Sequence, residues 1–103
     1  MADFIEQLPK AELHLHLEGS VEPCTMQELA PELSAAEIDA MYHFTDFAGF
    51  LQAFKAVVGR LRTPEDYALI ARRMVDSLVR QNVRYAEVIF SAGVVLWLSL
   101  IHI

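Results

Sequence analysis

The chain has 103 residues, is 54% hydrophobic, and sets 8 basic against 14 acidic residues for a net charge of -6. That length is one domain's worth at most, and the acidic balance is the opposite of the clustered basic excess of a nucleic-acid surface, so no nucleic-acid partner is expected. Its single cysteine, Cys24, excludes an internal disulfide, and Met1 to Leu8 carries Asp3 and Glu6 with no long apolar run, so no signal peptide is read and a cytoplasmic setting is the default.

In chain order, Met1 to Gln7 is a short lead-in that ends at Leu8-Pro9, because a residue before proline avoids the helical region. A strand follows over about Ala11 to Leu17. Alternation places Glu12, His14, His16 and Glu18 on one face and Leu13, Leu15 and Leu17 on the other. Two readings fit. A half-exposed amphipathic strand alternates in the same way. This polar face, however, holds only carboxylates and imidazoles, where a solvated face usually carries Lys, Thr or Ser. Imidazoles at i and i+2 point in parallel, with ring nitrogens close enough to hold one ion, which makes His14 and His16 candidate metal ligands. Gly19 then allows a sharp exit from the strand.

Pro23 at a first helical position opens a short helix that stops near Pro31, with Cys24 at its start as an inert, half-buried thiol. Ser34 and Glu37 form a capping box for a helix to about Tyr42, and His43 at its end is a partner for the helix dipole more than a third ligand. Asp46 caps a helix through Val58, in which Phe47, Phe50, Leu51, Phe54, Val57 and Val58 recur at threes and fours, the spacing of a core stripe. Thr63-Pro64-Glu65-Asp66 is the clearest helix start, and Tyr67, Ile70, Ala71, Met74, Val75, Leu78 and Val79 continue it as a broad apolar stripe. Arg72, Arg73, Arg80 and Arg84, interleaved with Asp76 and Glu87, are a solvated face. Asn82 closes the helix in a left-handed conformation, and Val83 to Phe90 is a second strand. A helix between two strands leads to a parallel pair with a right-handed crossover. The charge-free run from Val88 to Ile103 is shorter than the roughly 18 residues a membrane helix needs, so no membrane partner is expected.

Leu8 to Ser20, LPKAELHLHLEGS, resembles the opening of the adenosine deaminase family, metal-dependent hydrolases of the amidohydrolase superfamily. The His-x-His pair points to the superfamily, and the flanking Pro9 to Leu13 and Leu17 to Ser20 narrow it to the deaminase branch. Phe50 to Phe54, Thr63 to Tyr67 and Val83 to Val88 recur in the family's order and spacing, and the similarity runs to about Trp97.

The resemblance implies an α/β fold, the N-terminal portion of a (β/α)8 TIM barrel. A whole barrel takes about 250 residues, so about two strands plus helices are expected here, an incomplete barrel. Residues 1–97 would be the deaminase part and 98–103 a non-native or out-of-frame tail. The implied reaction is hydrolytic removal of the amino group at C6 of a purine nucleoside, adenosine to inosine and ammonia, by hydroxide on one zinc ion. His14 and His16 would be metal ligands. His16, Glu18, Phe50 and Phe54 would contact substrate, Glu18 on the ribose side, where many members carry Asp, and the two phenylalanines in an apolar wall and gate. A carboxylate that caps the next turn is the other reading of Glu18. None of the family's proton-transferring residues matches a position in this chain, so no catalytic residue is assigned and the chain alone is expected to be inactive. The alternatives are a deaminase of a related aminopurine such as aminodeoxyfutalosine, a different amidohydrolase, and a non-catalytic module that docks through the Phe50 and Phe54 helix. An open sheet edge would also let the chain self-associate.

Overall fold

Two strands, β1 (Lys10–His16) and β2 (Val83–Ile89), pair in parallel in the computed structural model, which describes residues 2–91 and Gly93. The expected break between 97 and 98 lies outside the described residues. A parallel pair needs a crossover, and here the connection carries four helices: α2 (Pro23–Leu29), α3 (Ala35–Tyr42), α4 (Phe47–Val58) and α5 (Pro64–Arg80). The lead-in is itself helical, α1 (Ala2–Gln7), and Lys10 Nζ fastens it by donating to the Glu6, Leu8 and Gln81 carbonyls at 3.0, 3.1 and 2.8 Å.

Helix starts follow the local chemistry. Ser34 and Glu37 close a capping box on α3, Asp46 accepts from the Gly49 amide at 2.7 Å on α4, and Thr63 and Asp66 close a second capping box on α5. Asn82 has φ 57°, the left-handed stop between α5 and β2, and its amide donates to the Gln7 carbonyl. The core gathers Leu17, Val21, Met26, Ala30, Ile38, Val57, Leu61, Ile70 and Met74, so the helices bury one side of the sheet.

The structure corrects several expectations. The alternation along β1 is broken: between Glu12 and Leu15 three residue steps run against two on β2, from Ala86 to Val88. Such a bulge reverses the face parity, and Glu12 lines a groove with Leu15, Met74 and Leu78 instead of joining the imidazoles. Gly19 has no positive φ; the chain leaves β1 through a 3-10 turn over Glu18–Ser20. The two apolar stripes are core only in part. On α4, Val57 and Val58 are buried, but Phe47 is 72% exposed; on α5, Ile70 and Met74 are buried, but Val79 is 69% exposed. Among the described residues, a two-stranded sheet with helices on one side leaves the rest of each stripe uncovered. Cys24 is exposed, not half-buried.

Candidate functional site

His14, inside the bulge, and His16, just beyond it, end β1 on its solvent-open side. Their Nε2 atoms lie 3.1 Å apart, with ring centroids at 5.0 Å and planes at 40°. At that distance one imidazole donates an N–H and the other accepts, an assignment that depends on the tautomers. Two zinc–nitrogen bonds of about 2.05 Å at a tetrahedral angle would separate the nitrogens by about 3.3 Å, so the pair stands close to the spacing that ion requires. Among the described residues no group of three or more His, Cys, Asp or Glu side chains could hold a metal. The donor type fits; the donor number falls short of three protein ligands. His43 stands elsewhere, its Nδ1 2.8 Å from the Asp39 carbonyl oxygen, in a groove with Phe44, Asp46 and Gln52.

Beside the imidazoles opens an apolar cleft of about 310 Å³ lined by Leu15, His16, Gly19, Phe50, Leu51 and Phe54. His16 belongs to both features. Gly19 forms the floor: a Cβ there would stand 3.5 Å from the His16 Cβ and 3.9 Å from the Phe54 ring, filling the space between them. The aromatic wall extends beyond the two phenylalanines expected from the sequence. Phe44 meets Phe50 edge-on at 5.4 Å, and Phe50 leads to Phe54 at 6.4 Å. Phe44 precedes the helix, outside any helical period, though an aromatic just before the Asp46 cap and spaced to fall beside Phe47 and Phe50 was the available signal.

Glu18 departs furthest from expectation. The 3-10 turn swings it off the imidazole face, and it is 1% exposed. Its Oε1 accepts the Ser91 amide at 2.9 Å, so it ties the end of β1 to the end of β2 and caps no adjacent turn. Oε2 has no partner. Tyr67 on α5, whose ring meets Phe90 edge-on at 5.6 Å, packs into the same corner, where the helical spacing marks it only as core.

Three of the arginines face acids. Arg73 makes a two-pronged contact with Glu28, Arg80 reaches Glu22 at 3.5 Å, and Arg60 pairs with Glu32, while Arg84 donates to Asn82 Oδ1 at 2.8 Å. Among the described residues no helix is long and apolar enough to cross a membrane.

The adenosine deaminase family model matches residues 9–100. The aminodeoxyfutalosine deaminase of Streptomyces avermitilis is 45% identical over 91 residues, 82% of this chain and 25% of that protein. The adenine deaminase of Cupriavidus pinatubonensis is 39% identical over 97 residues, 87% of this chain and 28% of that one. Among solved structures, the adenine deaminase from Arthrobacter aurescens superposes with a TM-score of 0.78 at 28% identity, covering 88% of this chain and 30% of its own. The chain therefore spans about a quarter of the length of the curated relatives it matches. Its parallel strands and the helices between them are an incomplete portion of the (β/α)8 barrel of these deaminases. By its opening strand, its topology and the extent of the match, the chain belongs to the adenosine deaminase family.

Proposed function

We propose that this chain forms the first metal-binding strand and the apolar cleft of a zinc-dependent deaminase that exchanges the 6-amino group of a purine for oxygen, consuming water and releasing ammonia. The observation that carries this reading is the convergence of the His14 and His16 Nε2 atoms, 3.1 Å apart, at the mouth of the Phe50–Phe54 cleft. His14 and His16 would hold the zinc. When bound, zinc brings the pKa of its water to near neutrality and so supplies hydroxide at ordinary pH. Both rings must be neutral at Nε2 to bind it, which sets the protons on Nδ1.

Phe50, Leu51, Phe54 and Leu15 would pack against the flat heterocycle and keep bulk water from its face. His16, which lines the cleft, would touch both ion and substrate. Glu18, buried and tied to Ser91, would have to swing out of its corner to meet a ribose, so the geometry gives no preference for a nucleoside over a free base. Adenosine, adenine and aminodeoxyfutalosine share the reactive 6-amino group, and relatives carry the names of the last two. With two imidazoles and no third ligand among the described residues, the chain alone would bind zinc weakly and turn over none of these substrates.

The test is a cobalt titration followed in the visible spectrum, with zinc competition, on the chain and on His14→Ala and His16→Ala. A weak signal lost in both variants is expected. A signal that survives in both would refute the ligand assignment, and zinc-dependent ammonia release from adenine or adenosine by the chain alone would refute its inactivity.

A further inference from the structure

Glycine in a turn usually answers one of two needs, a left-handed backbone or a close approach by another group. Gly19 meets neither. Among the described residues no glycine has a positive φ, and Gly19 lies inside the 3-10 turn Glu18–Ser20, a conformation open to any L-residue. A Cβ there would stand 3.5 Å from the His16 Cβ and 3.9 Å from Phe54 Cε2, both ordinary van der Waals distances. At Gly49, by contrast, a Cβ would stand 3.0 Å from Asp46 Oδ1 and from the Phe44 Cβ, and at Gly59 it would stand 3.3 Å from the Lys55 carbonyl oxygen. Those two positions crowd a side chain; Gly19 has room for one.

A glycine that the folded backbone does not need still costs stability, because it leaves the unfolded chain more conformations to lose. The space it keeps open lies in the apolar cleft of about 310 Å³, on the floor between His16 and Phe54, with Leu15, Phe50 and Leu51 completing the lining. Gly19 is itself exposed, so no described residue fills that space.

We propose that Gly19 is the specificity-determining residue of the cleft: by omitting a Cβ between His16 and Phe54 it leaves the depth for a flat bicyclic base, where alanine would leave room for a single ring. A pocket walled by apolar groups discriminates by fit, and one methyl group on its floor is worth about tenfold or more in affinity. The base as occupant is taken from the proposed function, on which this inference rests; the room at Gly19 is independent of it.

The experiment titrates adenine and 4-aminopyrimidine, the same amino-substituted ring with and without its fused partner, into the full chain and into Gly19→Ala. Binding is followed by NMR on the Leu51 methyl and the Phe50 and Phe54 ring protons. Both probes are expected to shift these signals in the wild type. Gly19→Ala is expected to weaken adenine about tenfold and 4-aminopyrimidine by roughly twofold or less. In urea unfolding the same variant is expected to be more stable, by roughly two- to fivefold in the folding equilibrium. Stability gained while adenine is lost separates this role from that of a structural glycine, whose replacement weakens both. A Gly19→Ala chain that is destabilised or fails to fold overturns the inference, since the glycine then serves the fold. Adenine binding that is unchanged, or both probes weakened alike, overturns it and leaves the proposed function standing. A wild-type chain in which adenine shifts none of the cleft signals overturns the proposed occupant and the inference together.

Discussion

Tyr42 offers a sharp test, because one atom carries both a bond and a pH dependence. Its hydroxyl donates to the Val21 carbonyl at 2.7 Å, fastening α3 to the segment that leaves the turn after β1. Burial, with the charges of Cys24 and Glu22 behind it, pushes the phenol up to about 12 from 10. Tyr42→Phe removes the bond and strands a carbonyl at buried Val21, so at pH 7 to 9 the variant should be less stable by about 1 kcal/mol. The sign of the pH effect follows from linkage. Between 10 and 12 the folded state keeps the proton that the unfolded state has lost, so stability falls as pH rises through that window. A rise of that size in a fully desolvated phenol would amount to about 2.7 kcal/mol, but the side chain is only half-buried and solvent screening reduces this to roughly 1 kcal/mol. Wild type should therefore lose its advantage over Tyr42→Phe as pH passes from about 9 to about 11.5, in urea unfolding followed by circular dichroism at each pH. Subtracting the variant cancels the other tyrosines and the lysines. A difference that stays constant across that range would refute the reasoning.

Three further outcomes are expected. Ile70, 1% exposed in the centre of the core, should lose about 3 kcal/mol on substitution by Ala, seen as a lower urea midpoint; a loss under about 1 kcal/mol would mean that α5 is not packed as described. Asn82→Ala should be less stable than Asn82→Gly by about 1 kcal/mol, because φ 57° suits glycine and strains a Cβ; the reverse order would place the contacts with Gln7 and Arg84 above the backbone conformation. Among the described residues β1 and β2 pair only with each other, leaving each an unpaired edge there, and Leu13 on β1 is 65% exposed; sedimentation should show concentration-dependent association that Leu13→Lys suppresses, and a monodisperse monomer at high concentration would count against it.

Some features were readable residue by residue because their partners lie within a few positions. The capping boxes of Ser34 with Glu37 and Thr63 with Asp66, the Asp46 cap and the left-handed Asn82 are each closed by the local backbone, so residue type and spacing suffice. The closeness of His14 and His16 is local in the same sense, since neighbouring same-side positions on a strand project in parallel. Glu12 and Glu18 share that pattern on paper and leave it in the structure. The bulge that turns Glu12 away is a property of two strands in register, and the burial of Glu18 depends on Ser91, 73 positions along the chain.

Periodicity states which side chains share a face; it does not state whether another element covers that face. Phe47, Val75 and Val79 have the spacing of core residues and stand exposed, while Val57, Ile70 and Met74 on the same helices are buried, because among the described residues the sheet and helices close over one side. By itself, then, the sequence determined the boundaries of α2 to α5, the parallel pairing and the imidazole pair, all products of short-range bonding and chain direction. Only the tertiary structure decided that Glu18 is a tie between strand ends and that Gly19 is the floor of the cleft, since each depends on which distant surface the chain brings against it.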